Sequence, residues 1–181
     1  YDISFFCTCP LGFSGPKCEI QNLNGDFEDI ILLDSFQSLN TSSQLLSPWI
    51  IEVGQVNLMA NSLYPPKSGV HLIGLLGAGQ SSLSQTVSLT IGVSYILSFS
   101  MAATPTNQKV FSLKVLIGSQ IWSFSVDSTG IPISDLTTHW KSKNIEFIAT
   151  TMVTKITFQS TTTGNVGPLL DLISIQEKGS S

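Results

Sequence analysis

Charge is what this chain has least of. Asp, Glu, Lys and Arg make up 11% of its 181 residues, against roughly a quarter in an ordinary soluble domain. The balance is acidic, with a net charge of -4 and a pI near 4.9, so there is no overall basic surplus to neutralise a phosphate backbone. Nucleic acid is thereby excluded as an expected partner. Long apolar runs are missing too: IILL at 30–33 and VSYILSFSMAA at 93–103 fall far short of the ~20 residues a membrane helix needs, so no membrane span is expected. The opening YDISFFCTCP lacks the basic start and apolar centre of a signal peptide; if the protein is secreted, the chain is expected to be a piece of something longer. Ser, Thr, Gly and Asn stand where charges would be. Such a polar, weakly charged surface suits a secreted glycoprotein or a subunit packed against neighbours, and argues against a freely diffusing cytosolic enzyme. The length allows one domain with a sizeable core plus a small appendage.

Cysteine is scarce and confined to one place. Cys7, Cys9 and Cys18 all lie in CTCPLGFSGPKC, and no redox C-x-x-C occurs. A zinc site fits poorly, since one residue separates two of the cysteines and no His is near. The C-x-C pair, Gly12-Phe13, Gly15 and the closing Cys18 resemble the C-terminal half of an epidermal-growth-factor-like module. That resemblance implies a Cys9–Cys18 disulfide, a partner for Cys7 outside the chain, and an oxidising, extracellular compartment. It assigns residues 1–20 to this fragment.

From about Asn22 the texture changes to short alternating runs separated by Gly, Pro, Ser, Thr and Asn. Tyr95, Leu97, Phe99 and Met101 point one way against Ile96, Ser98 and Ser100, the period of a strand with one buried face. Phe111, Leu113, Val115 and Ile117 repeat it, as do Trp122, Phe124 and Val126, then Ile145 and Phe147, then Ile156 and Phe158. About ten such strands predict an all-β sandwich or barrel, with a short turn near Ser134–Thr138 as the best helical candidate. Asn24-Gly25-Asp26-Phe27-Glu28, SGVHLIGLLG at 68–77, SLSQTVSLTIGVSYILSFSMA at 82–102, FSVDSTG at 124–130, IEFIATTMVTKITFQST at 145–161 and GPLLDLISI at 167–175 follow in order. Their succession resembles the galactose-binding-like β-sandwiches: carbohydrate-binding modules, and more closely a plant cell-wall family of unknown function with bacterial surface-anchored relatives. The resemblance implies an antiparallel jelly-roll sandwich over 21–177, with 178–181 as a tail. It also implies a structural calcium ion held by Glu28 and Asp171, although Leu172 and Gly74 stand where relatives carry polar or acidic residues. The alternative for both carboxylates is to hydrogen-bond the backbone where first and last strands meet.

A sugar ring offers one apolar face and a rim of hydroxyls, so its usual receptor is an exposed aromatic with amide or hydroxyl company. Tyr64, in the loop NSLYPPKSG, and Trp122 are the ligand-binding candidates, with Asn57, Asn61 and Gln80 nearby in sequence; Trp140, like Trp122, alternates with apolar neighbours and reads as core. No nucleophile motif surrounds His71 or His139, the acidic run Asp26, Glu28, Asp29 and Asp34 reads as a solvated edge, and GLLGAGQ at 74–80 has no phosphate-loop lysine. The chain is expected not to be an enzyme. Asn40-Thr41-Ser42 is an N-glycosylation sequon in a polar loop. Together these readings predict an extracellular module that binds glycans, matrix or cell-wall polysaccharide. The alternative is a structural subunit of a fibre or sheet that assembles with itself.

Overall fold

The computed structural model describes residues 23–32, 34–76, 79–105, 110–130, 139–162 and 166–179, with the backbone of 13–14 and 20–21. Cys7, Cys9, Cys18 and the Ser134–Thr138 segment lie outside the described residues. The strands, in chain order, are β1 (Phe13–Ser14), β2 (Ile20–Gln21), β3 (Phe36–Asn40), β4 (Ile50–Val53), β5 (Gln55–Ala60), β6 (His71–Gly74) and β7 (Ser82–Ser88). They continue with β8 (Ser94–Ala103), β9 (Val110–Ile117), β10 (Gln120–Asp127), β11 (Lys141–Ile148), β12 (Val153–Ser160) and β13 (Pro168–Glu177).

They form two sheets in which every pairing is antiparallel. In the five-stranded sheet the order is β10-β9-β12-β7-β4. The eight-stranded sheet is built around β13, which pairs β8 along one edge and both β6 and β2 along the other; β11 extends the β8 side, and β5 and β3 extend the β6 side. The β1–β2 hairpin thus joins the larger sheet through Gln21 opposite Ile175 and Ile20 opposite Gln176.

The alternating rows read from the sequence line the space between the sheets. Leu97, Phe99 and Met101 of β8, Phe111, Leu113 and Val115 of β9, and Ile156 and Phe158 of β12 are buried there. Phe99 meets Phe158 and Phe124 edge-on, with ring centroids 5.2 and 5.3 Å away, and Trp49 meets Phe158 at 6.0 Å. Rings in this geometry add to the roughly 1.5–3 kcal/mol that burial of each large apolar side chain contributes.

The expectation of one buried face per strand fails for the larger sheet. Met59, Leu72, Ala102, Trp140 and Leu169 form a second buried cluster, joined by the partly buried Tyr64 and Leu76. Met59, Leu72, Ala102 and Leu169 alternate with core residues on β5, β6, β8 and β13, so they occupy the outer face, and Trp140, just before β11, packs with them. The loop between β5 and β6 covers them, and apolar side chains are therefore stable on both faces.

One irregularity in β13 allows this. Leu170 and Ile173 both face the main core, and Leu169 faces the outer cluster. A β-bulge between Asp171 and Ser174, with Leu172 in the left-handed region at φ 53°, absorbs the extra residue. Asp171 therefore sits beside Leu169 on the outer side of the sheet while the strand's second half returns Ile173 and Ile175 to the core.

Candidate functional site

The best-anchored feature is the loop from Asn61 to Val70 over the outer face. Asp171 is completely buried; its Oδ2 accepts the backbone N–H groups of Lys67 and Ser68 at 2.7 and 3.0 Å, and its Oδ1 accepts that of Leu172 at 2.7 Å. Glu28 Oε1 accepts the N–H groups of Val70 and His71 at 2.8 and 2.9 Å. The Trp140 indole N–H donates to the Pro65 carbonyl at 3.2 Å, and Asn61 N–H donates to the Val70 carbonyl at 2.8 Å. Glu28 reaches the loop because the Asn24–Phe27 turn is fixed from both sides. The Ile173 N–H donates to the Gly25 carbonyl at 2.9 Å, and a Cβ on Gly25 would fall on the Ile173 backbone. Buried Phe27 packs on Trp49, whose indole N–H holds the Asn24 carbonyl at 3.2 Å. Gly69 has φ +65°, and a Cβ there would collide with the Glu28 carboxylate; only glycine lets the loop lie this close.

These contacts decide how a calcium ion would fit. Calcium takes six to eight oxygen ligands, yet five backbone N–H groups converge on the oxygens of Glu28 and Asp171. The positive ends of those dipoles point where a cation would need to sit. The remaining Glu28 oxygen, Oε2, faces His71 Nδ1 at 3.4 Å. Among the described residues no group of three or more acidic, His or Cys side chains converges. The arrangement does not fit calcium; the carboxylates clamp the loop backbone. Burial pushes the Asp171 carboxyl up from 3.8 to about 6, against the opposing pull of its three backbone N–H donors, and the nearby Glu28 charge adds a little.

The aromatic candidates do not form a platform. Tyr64 lies partly buried against the outer cluster, beside Trp140. Trp122 packs partly buried against the main core from β10, on the other sheet. Trp49 and Trp140 are buried, each with its indole N–H satisfied by a carbonyl. Tyr64, Glu28 and Asp171 thus share the loop anchor, and Trp122 does not join them. Asn40 is exposed at the end of β3, and its Oδ1 accepts the N–H and hydroxyl of Ser42, the third residue of the sequon, at 3.0 and 2.7 Å.

A recess that the motif analysis missed lies on the outer face of the small sheet. Ser112 and Lys114 of β9, Ser123 and Ser125 of β10, and Thr161 surround a depression of about 400 Å³. Ser123 sits opposite Lys114 and Ser125 opposite Ser112 in the ladder, so hydroxyls and an ammonium form a polar grid, with Leu113 and Phe124 also lining the depression. On the same sheet Glu52 accepts the Ser84 hydroxyl and the Lys155 ammonium, both at 2.6 Å. The Lys155 ammonium first, then the Ser84 hydroxyl, hold its carboxyl below the usual range. A second recess of about 270 Å³ lies between the edges of β10 and β11, walled by Ser125, Asp127, His139, Lys141 and Lys143. Its signal was present in the sequence: Lys141 and Lys143 share the parity of Ile145 and Phe147.

Two antiparallel sheets around an aromatic core make this an all-β sandwich, and its fold is similar to that of carbohydrate-binding modules. A family 61 module solved with β-1,4-galactotriose matches over 86% of this chain and 96% of its own, with TM-score 0.51 and 21% identity. A native family 35 module from Clostridium thermocellum matches over 78% and 98%, with TM-score 0.53 and 17% identity. An arabinose-bound α-L-arabinofuranosidase also matches, over 88% of this chain and 26% of its own, with TM-score 0.57 and 11% identity. At these identities the likeness is one of fold. A comparison with curated proteins gives no match. Residues 22–176 match DUF642, a protein family of unknown function, and the chain belongs to it.

Proposed function

We propose that this chain is a non-catalytic, extracellular module of a larger secreted or cell-surface protein, and that it binds glycans or matrix polysaccharide. The observation that carries the reading is the hydroxyl-lined depression on the small sheet, where Ser112, Ser123, Ser125, Thr161 and Lys114 offer closely spaced donors and acceptors. Sugar hydroxyls pair with such groups, and the regular strands beneath hold them in place. The extracellular assignment rests on the growth-factor-like CTCPLGFSGPKC stretch, with its implied Cys9–Cys18 disulfide and outside partner for Cys7, and on the exposed sequon at Asn40.

The test is a panel of immobilised glycans probed with the chain and with a Ser123→Leu variant that fills the depression. Saturable binding that the variant loses supports the reading; binding that the variant retains removes this face from it. A second reading, a self-assembling structural subunit, is favoured by a different feature. Ile91, Ile148, Met152 and Val153 are all exposed at one end of the sandwich, where Leu89 N–H bonds the Met152 carbonyl and Gly92 N–H bonds the Ala149 carbonyl, both at 2.8 Å. Sedimentation that shows concentration-dependent assembly, with no glycan bound, would favour that reading instead.

A further inference from the structure

The two sheets differ in width, and the difference leaves β11 overhanging. It is an edge strand of the larger sheet, and β10 is the facing edge of the smaller one. Along one side of β11 run Phe147, Ile145, Lys143 and Lys141. The first two are buried in the core, Lys143 is half-buried and Lys141 is exposed. A row that begins as core therefore ends in two lysines whose backbone positions lie about 7 Å apart along the strand. Two apolar residues would have continued the burial; instead Lys143 Nζ stands 5.8 Å from the centre of the Phe124 ring.

Both lysines wall the recess of about 270 Å³, and Ser125 belongs to that recess and to the depression holding Lys114. The two recesses thus form one strip that wraps the β10 edge. Among the described residues its carboxylate is Asp127, whose Oδ1 accepts the N–H and hydroxyl of Thr129 at 2.8 and 2.7 Å. Among the described residues, Lys114, Lys141 and Lys143 have no carboxylate partner, whereas Lys155 and Lys178 hold Glu52 and Glu146 at 2.6 and 2.7 Å. A protein of net charge -4 thus places around one edge three lysines that, among the described residues, have no carboxylate partner.

Building on the glycan-binding reading, we propose that this strip selects acidic glycans, with Lys141 and Lys143 meeting the carboxylate or sulfate groups and Lys114 and the serine hydroxyls holding the sugar chain on the outer face. An ammonium is a compact point charge on a flexible stem, suited to anionic groups at variable positions along a polymer. A half-enclosed wall of low dielectric strengthens its field. Inward lysines on an edge strand also discourage sheets from pairing edge to edge, and the test separates the two roles.

Binding of the chain is measured to oligogalacturonate, to the same polymer methyl-esterified, to dextran sulfate, to a neutral β-1,4-galactan and to polyglutamate. The variants are Lys141→Gln, Lys141→Gln/Lys143→Gln, and Lys178→Gln as control. Binding to oligogalacturonate or dextran sulfate should fall about tenfold in the double variant and weaken as ionic strength rises from about 0.05 to about 0.5 M. Lys178→Gln and any binding to galactan should be unaffected. The single variant, at an exposed position, should show a smaller loss without disturbing the fold. Oligogalacturonate preferred over its ester assigns the carboxylate; dextran sulfate preferred assigns the sulfate. Binding to galactan alone overturns this proposal and leaves the glycan reading standing; binding to no glycan overturns both. Equal binding to polyglutamate reduces the strip to a general polyanion surface and overturns it. Unchanged acidic-glycan binding with new aggregation in the double variant also overturns it and assigns the lysines to edge protection.

Discussion

Asp171 makes the stability of this fold depend on pH in an unusual direction. Its carboxyl is buried without a counter-ion, and desolvation carries it from 3.8 to about 6. Between those values the folded protein holds a proton that the unfolded chain has released. Stability contributed by this group therefore rises as pH falls from 7 towards 4, the reverse of a salt-bridged carboxylate. The two values imply about 1 kcal/mol gained by pH 5 and about 2 kcal/mol by pH 4, approaching about 3 kcal/mol below that. The assay is urea unfolding at pH 7, 6, 5 and 4, comparing wild type with Asp171→Asn. The variant also changes the hydrogen bonds to Lys67, Ser68 and Leu172, so its stability at a single pH mixes two effects. The difference between the two pH curves isolates the proton, because the other carboxylates are common to both proteins. Parallel curves for wild type and variant would refute the reasoning and show that the clamp holds an ordinary carboxylate.

The other expectations concern the same loop and the surface. Gly69→Ala combines a left-handed φ of +65° with a collision against Glu28 and should cost about 2–3 kcal/mol in urea unfolding, while a cost under 0.5 kcal/mol would mean the loop relaxes freely. Trp140→Phe removes the bond to the Pro65 carbonyl and should cost about 1 kcal/mol, with faster amide exchange at 61–70 as the local signature. Chelator should move the melting temperature by less than about 1 °C, whereas a calcium ion bound at 100 times its dissociation constant would add about 3 kcal/mol and shift it by several degrees. Secreted material should carry a glycan on the Asn40 peptide by mass spectrometry, and Asn40→Gln should remove that mass.

Much of the fold was legible because the core-facing rows obey a simple period. Tyr95 to Met101, Phe111 to Ile117, Ile145 with Phe147, and Ile156 with Phe158 all lie on strands in the expected phase, and the sandwich follows from their number. The role of the carboxylates was less legible. Glu28 and Asp171 were identifiable by position, but a sequence does not say whether carbonyls or N–H groups will surround an acid. In this chain the peptides of residues 67, 68, 70 and 71 present N–H. Tyr64 looked exposed because NSLYPPKSG is polar and turn-rich; the Trp140–Pro65 bond lowers that loop onto Leu72 and Met59. Lys141 and Lys143 escaped notice because overall charge averages away a local cluster, and only the phase they share with Ile145 marks them as facing inward.

The bulge at Leu172 carries a consequence for how this chain tolerates change in length. Leu172 acts as a phase marker between two halves of β13, one keyed to the outer cluster through Leu169 and Asp171, the other to the core through Ile173 and Ile175. Deleting it would take out the surplus residue and leave Leu170, Asp171, Ile173, Ser174 and Ile175 in plain alternation, with both isoleucines still turned to the core. One residue added to or removed from the regular run that follows would instead turn everything beyond it to the wrong face. Loss of Leu172 should therefore disturb the Asp171 carboxylate, whose Oδ1 accepts its N–H, more than the packing of the strand's second half, and a glycine there, at ease with positive φ, should fit the backbone without strain. The strand thus carries one spare residue, and a change of length is absorbed there or not at all.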